Sequence, residues 1–517
     1  MPSIGCAPLS SYTPFLIANF KTGLELDLEP WLLPQDAFME LQNAYIRNGV
    51  LMKRNGYTEF ADTGDARPIM GIFNYVESNN SKTLLVADTD RLFEYAAGIL
   101  NDLDLADVWT SVGADLCSSI NWKGSLYMTN FKDQIRVFNG TTVTNYKIDI
   151  NGDTTNDVGY CRHLVIHKER LIALYTYEGA AERPQRARWC VAGNVTDWTN
   201  DGYVDCPTSD FITAAVLIGD DILVWFSSSI WWLKYTADPD LPFRWERIDS
   251  ETGSQAPYVP VLKNNRSYGF DKSGLVVTDG FDVVPVDQKI PDFGLTFNQT
   301  NINNCYGILI NELRQIWIAY PDASSTTNTR VLAYNYEENS WAVFTIPFTC
   351  FGYYSRQESL TYDDATWAID SSAERIDAQA AQEGYPTIIG GKTNGKIYTL
   401  NDGTDDDGSD IEMIVTSKRW NPYKDQGLKA RLGWIDFLVT CREEDELSVD
   451  FFTDFKTLSY QTKILSFDQE GQKAWVRLFS GAVGNTHRIK MYHTASGQQP
   501  KIHAIMPWFK PAGRLSL

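Results

Sequence analysis

Residues 83–95 read TLLVADTDRLFEY, an apolar run, a polar turn at Asp88, Thr89 and Asp90, and a second run carrying Phe93 and Tyr95. The theme returns at 124–140 as GSLYMTNFKDQIRVFNG, and at 170–198 around Tyr175, Trp189 and Trp198. It returns at 221–233 as DILVWFSSSIWWL and at 268–280 as YGFDKSGLVVTDG. Two further copies run from Gln315 to Trp341 and over 388–398, IIGGKTNGKIY. β-branched and aromatic runs bounded by Gly, Asn and Asp read as paired strands. Until the last copy the units recur about every 40–55 residues, the period of β-propeller blades. One blade cannot bury both its faces, so blades pack radially and close a ring. The expectation is an all-β chain with a β-propeller of six to eight blades over 61–403. The competing reading is a large irregular β-sandwich.

The flanks of this region differ from it. Residues 401–410, NDGTDDDGSD, mark a boundary. Beyond it, runs at 411–415, 433–440, 447–452, 473–478 and 488–492 predict antiparallel strands, several alternating with period two. They define a C-terminal β-sandwich or platform domain, 404–517. Residues 1–60 form an N-terminal arm. There Phe38, Leu41 and Tyr45 are spaced i, i+3, i+7 behind Asp36, which predicts a short helix with an Asp N-cap. Asn48-Gly49 between short β-formers predicts a hairpin, because a type I′ turn needs positive φ twice. The stretch 364–384 reads as a further short helix or insertion.

Lys plus Arg number 45 and Asp plus Glu 66, a net charge of −21. That argues against a basic domain that grips DNA, but not against a protein DNA slides past. The longest apolar runs, 211–218 and 222–226, are interrupted by Asp220 and Asp221. They fall well short of the roughly 18 residues of a membrane helix, so no membrane span is expected. The first residues lack the basic and apolar regions of a signal peptide. Eight cysteines with no close pair read as free thiols of a chain made in a reducing cytoplasm.

No motif supports a cofactor, a metal or a catalytic site. Gly390-Gly391-Lys392-Thr393 ends like a phosphate loop, but Pro386 occupies the required glycine position. Around Asp405, Asp406 and Asp407, Gly403 and Ile414 stand where an EF-hand needs acids, which favours a solvated acidic linker over a loose surface cation site. His163 and His167 lie four apart on an expected strand, about 13 Å from each other and unable to share a metal. There is no G-x-S-x-G elbow. The chain is read as a non-enzyme with no cofactor.

Residues 23–38, GLELDLEPWLLPQDAF, lead into 42–57, QNAYIRNGVLMKRNGY. This Pro-rich lead and Asn-Gly hairpin ending in Lys53, Arg54 and Gly56 resembles the opening of tail proteins from short-tailed bacteriophages. Phrases at 137–142, 188–198, 219–231 and 273–280 are similar to the same group, which comprises the tail hub, or packaged-DNA stabilisation protein, and the tail nozzle. About 40 residues at the N-terminus match as a pattern, and most of the chain resembles the group in architecture. The resemblance implies a structural virion protein, a homo-hexamer around a channel. It would stack on the portal and adaptor, meet other tail proteins such as fibres, needle or distal parts, and pass double-stranded DNA without sequence-specific contacts. It implies assembly in the host cytoplasm and residence in the virion tail.

Under this reading Trp31, Phe38, Arg47, Lys53 and Arg54 are the candidate subunit-interface residues, since Trp and Arg are enriched at interface hot spots. An alternative is that the arm completes the propeller's edge or a platform sheet. Deleting residues 1–60 is expected to abolish assembly yet leave a folded β-rich core. The basic clusters at 183–188 and 418–431 are expected to face acidic neighbours or another tail ring. The rival function is a surface carbohydrate-binding or glycan-hydrolysing propeller, and a further rival is a cytoplasmic interaction propeller.

Overall fold

The computed structural model describes residues 12–103, 109–199, 202–272, 274–355, 386–441, 446–467, 471–497 and 499–515. The helix or insertion expected at 364–384 lies outside them. Seven antiparallel four-stranded units follow one another: 71–102, 118–145, 158–205, 212–249, 261–285, 306–344, and 350–400 completed by Tyr57–Asp62. Each blade's inner strand touches the next blade, and the inner strand of the last, Cys350–Tyr354, returns to that of the first, Gly71–Val76. The ring is therefore closed, and the chain is an all-β seven-bladed propeller with an attached β platform. The seven sequence units contain the second and third strands of the seven blades, in order.

Blades are held together by large side chains that reach across. The Trp225 indole in blade four donates to Ser267 Oγ in blade five at 3.0 Å, and Trp232 Nε1 donates to Gly280 O at 2.9 Å. Asn74 of blade one donates to Tyr353 O of blade seven at 2.6 Å, and Asn121 of blade two donates back to Asn74 O at 2.7 Å. The seven described cysteines are buried.

The last blade is completed from the other end of the chain. Tyr57–Asp62 pairs antiparallel with Lys396–Leu400 and forms its outer strand. The remaining N-terminal strands belong to the platform, whose two sheets pack face to face. One sheet runs Lys473–Phe479, Leu428–Thr440, Lys501–Arg514, Val50–Lys53, Ala44–Arg47, with Thr13–Pro14 and Ile17–Ala18 added to Lys501–Arg514. The other contains Ala37–Gln42, Met413–Ser417, His487–His493, Glu446–Thr453 and Gln461–Ser466. Ala37–Gln42 also meets Ser340–Phe344 of blade six, through Gln42 and Val343. One buried core cluster accordingly runs from blades five to seven into the platform, from Phe348 and Trp317 to Phe437, Phe451 and Phe509.

Two expectations need correction. The segment holding Phe38 and Leu41 is a strand, not a helix. The register with Met413–Ser417 shifts between Phe38 and Glu40, so Met39 is an extra residue on this strand. A bulge inverts the in–out alternation. It puts Phe38 and Leu41, three apart, on one buried face and mimics helical spacing. Asp36 instead accepts from Thr22 N at 2.9 Å. The hairpin is where it was expected, with Ala44–Arg47 paired to Val50–Lys53 and φ of 52° at Asn48 and 73° at Gly49.

The second correction concerns the arm. Residues 1–60 are not a separable unit: from residue 13 onward they supply platform strands and begin the outermost strand of blade seven. Their removal opens both, so a folded core is not expected to survive it. The acidic linker is also more than solvated. Asp406 bridges to Tyr57 and pairs with Arg54.

Candidate functional site

Of the five residues singled out from the sequence, three face inward. Phe38 is 2 % exposed and packs on Phe20. Lys53, 1 % exposed, lies 2.9 Å from His493 Nδ1 and donates to Ala495 O at 3.0 Å. Arg54, 2 % exposed, donates through Nη1 and Nη2 to the two oxygens of Asp406 at 2.7 and 2.5 Å, and through Nε to Asn43 Oδ1 at 2.9 Å. Buried groups engaged within their own chain cannot meet a neighbour, so an interface role for these three is withdrawn. Trp31 and Arg47 are half-buried. The Lys424 ammonium sits 3.5 Å from the Trp31 ring centroid, and Arg47 reaches Glu312 O at 3.4 Å. Neither of these two is joined to the other three in one patch.

The basic clusters divide in the same way. In blade three, Glu178 accepts from Arg188 Nε and Nη2 and from Arg186 Nη1, each at 2.9 Å. Burial alone would raise the Glu178 carboxyl, but hydrogen bonds from Arg188 and Thr176 outweigh it and hold the group below its ordinary value. Arg186 also grips Asp205 through two bonds of 2.8 Å, and the Tyr203 ring covers both guanidinium groups. Lys418 is buried and donates to Leu33 O. These cations serve the chain's own fold. An open groove of about 630 Å³ borders Glu178, lined among others by Asn151, Asp157, Tyr177 and Arg183. Its Tyr177 ring stacks on Tyr160 at 4.8 Å.

His163 of blade three reaches Thr213 O of blade four. Burial, the Arg162 charge and the carbonyl together leave its pKa lowered to about 4. Among the described residues no group of three or more His, Cys, Asp or Glu is arranged to hold a metal ion. No helix among them is long and apolar enough to cross a membrane.

The feature that stands out is the outer face of the platform sheet. Its register sets side chains in rows across the strands. Lys473, Thr440, Lys501 and Met52 form one row, and Trp475, Leu438, Ala504 and Ala18 the next. Arg477, Asp436 and Met506 follow, then Phe479, Trp434, Trp508 and Pro14, then Val483, Arg431 and Lys510. Between these positions Ile435, Phe437, Val439 and Leu478 point into the core. The aromatic row is continuous: Trp434 stacks on Trp508 at 5.2 Å, meets Phe479 at 6.3 Å and meets Tyr12 at 5.0 Å. Gly433 makes room for Tyr12, because a Cβ there would lie 2.6 Å from its ring.

Phe479 is 61 % exposed, Trp475 50 % and Val483 48 %. Among the described residues Lys473–Phe479 is paired on one side only, which makes it an edge strand. Asp436 is the only carboxylate on the strands of this sheet. It is occupied by Arg477 at 2.6 and 2.9 Å and by Trp508 Nε1 at 2.9 Å. Arg431, Lys473, Lys501 and Lys510 have no acid on the sheet to meet. The face is therefore basic and aromatic.

Charge is unevenly divided along the chain. Residues 57–410, the span that contains the described blades, hold 50 Asp and Glu against 26 Lys and Arg. The remainder holds 16 against 19. Sequence reading located the strands at 433–440 and 473–478 but not this face. The signal available was the alternation of Trp434, Asp436 and Leu438 beside that of Lys473, Trp475, Arg477 and Phe479.

No protein-family model matches the chain, and no curated protein matches it. Among solved structures, BBS1N in complex with ARL6DN is similar at 10% identity over 67% of this chain and 97% of that one, with a TM-score of 0.39. The Pan2 WD40 domain of Neurospora crassa is similar at 7% identity over 67% of this chain and 95% of that one, TM-score 0.36. Chaetomium thermophilum Raptor is similar at 7% identity over 68% of this chain and 30% of that one, TM-score 0.38. The propeller assignment rests on the seven closed blades themselves.

Proposed function

We propose that this chain is a structural ring protein of a short-tailed phage tail, a hub or nozzle. Six copies stack below the portal and adaptor, extend the DNA conduit, retain the packaged genome and let it pass at ejection. The observation that carries the reading is the platform's exposed basic and aromatic sheet face on a chain whose propeller is strongly acidic. That is a surface built to be covered. The N-terminal resemblance supplies the class of assembly. The net charge of −21 suits a lining along which DNA slides, because a basic lining would hold phosphates spaced about every 1.7 Å of duplex axis. We assign it no reaction.

Purified protein examined by native mass spectrometry and electron microscopy, alone and with portal and tail partners, tests this. Six-fold rings around a channel of duplex width are expected. A monomer that never joins a portal complex would overturn the reading. The rival reading of a glycan-binding propeller is favoured by the groove beside Tyr177, and retention on a glycan array that is lost in Tyr177→Ala would establish it.

A further inference from the structure

The ring reading leaves open which surfaces meet. On the platform's outer face, Arg431, Lys473, Lys501 and Lys510 surround exposed Trp475 and Phe479, and the one carboxylate, Asp436, is already occupied. Two copies joined platform to platform would bring these like charges together, a costly juxtaposition. Two copies joined propeller to propeller would do the same with an excess of acids. The combination in which opposite charges meet is platform against propeller. Such a contact uses two different patches, so it is head-to-tail, and a head-to-tail contact whose rotation closes generates a ring.

We propose that the outer face of the platform sheet docks on the acidic propeller of a second copy of this chain. Trp475 and Phe479 form the desolvated centre and the cations form the rim. Aromatic anchors ringed by polar groups are the usual anatomy of a specific interface. The inference rests on the ring reading and deepens it by naming the surface.

Two preparations test it. In the first, a photo-crosslinking amino acid replaces Trp475. In the second, Arg431→Glu, Lys473→Glu and Lys510→Glu are combined, with unchanged far-ultraviolet circular dichroism as the folding check. The expected result is a ring for the unsubstituted protein, at least a tenfold weaker association for the charge-reversed one, and crosslinks from position 475 to peptides within 57–400 of another copy. Association should weaken as salt rises from 50 to 500 mM, because the screening length shrinks below about 10 Å. A ring that persists in the charge-reversed protein, or crosslinks into another platform, overturns the inference and leaves the ring reading intact. A chain that stays monomeric removes both. Binding of a 30-base-pair duplex or of anionic vesicles that the charge reversal abolishes, with no ring, assigns the face to that ligand and overturns the inference as well.

Discussion

The Arg54 guanidinium holds the Asp406 carboxylate through two parallel hydrogen bonds of 2.7 and 2.5 Å, tying the N-terminal hairpin to the segment that leaves the propeller. Arg54 is almost wholly buried, while Asp406 keeps 13 % of its side chain exposed. The two partners therefore differ in what their loss leaves behind. Asp406→Ala strands a buried cation and is expected to cost about 3–5 kcal/mol. Arg54→Met frees a carboxylate that can reach water and is expected to cost less. Urea unfolding of the two variants checks the order, and an equal loss in both would refute this asymmetry.

The half-buried imidazole of His163 makes stability depend on pH. Its folded pKa is lowered to about 4, while an unfolded histidine titrates near its ordinary 6.5. The unfolded chain then binds the proton first, so stability is complete above about pH 6.5 and falls as pH drops toward 4. The contribution of this one group is about 2 kcal/mol between pH 7 and 5. The difference in unfolding free energy, from urea titration, between the parent protein and His163→Gln should shrink by that amount over the interval. A difference independent of pH would count against it.

Gly280 is held at φ 91°, and a Cβ there would lie 1.9 Å from Trp232 Cζ2. Its carbonyl is also the acceptor for the Trp232 indole. Gly280→Ala combines left-handed strain with overpacking between blades four and five, and a loss of about 2–5 kcal/mol is expected. Gly98, also left-handed but with open space around it, gives the control. Gly98→Ala should cost about 1 kcal/mol, because strain acts there without a clash. Thermal unfolding of both variants separates the two effects.

Truncation distinguishes the observed arrangement from a detachable arm. A chain beginning at residue 63 lacks the outer strand of blade seven and the N-terminal platform strands. It is expected to lose cooperative unfolding and to be cut by trypsin within minutes. A soluble, protease-resistant β core would be incompatible with the pairing of Tyr57–Asp62 to Lys396–Leu400.

The middle strands of each blade were legible because both their edges are paired and their apolar residues are continuous, as in Ile222, Leu223, Val224 and Trp225. Inner strands such as Ser118–Trp122 are half-exposed throughout and carry no such run. Ala37–Gln42 was misread because a one-residue bulge counterfeits a helical period. Pairings across hundreds of residues leave no local trace, so nothing in the hairpin itself announces that Arg54 belongs to Asp406. The platform's outer face needed the register, because alternation tells which residues share a side but not which side meets the core.

Closing the seventh blade with Tyr57–Asp62 has a consequence during synthesis. Lys396–Leu400 leaves the ribosome some 340 residues after its partner, and Trp508 some 490 residues after Pro14. At about 5–20 residues per second, the early strands wait on the order of 20 to 100 s before a mate exists. Until then their edges are open to any other strand. A nascent chain halted before residue 400 has neither a closed ring nor a platform, so its early strands keep the open edges that invite pairing with another chain.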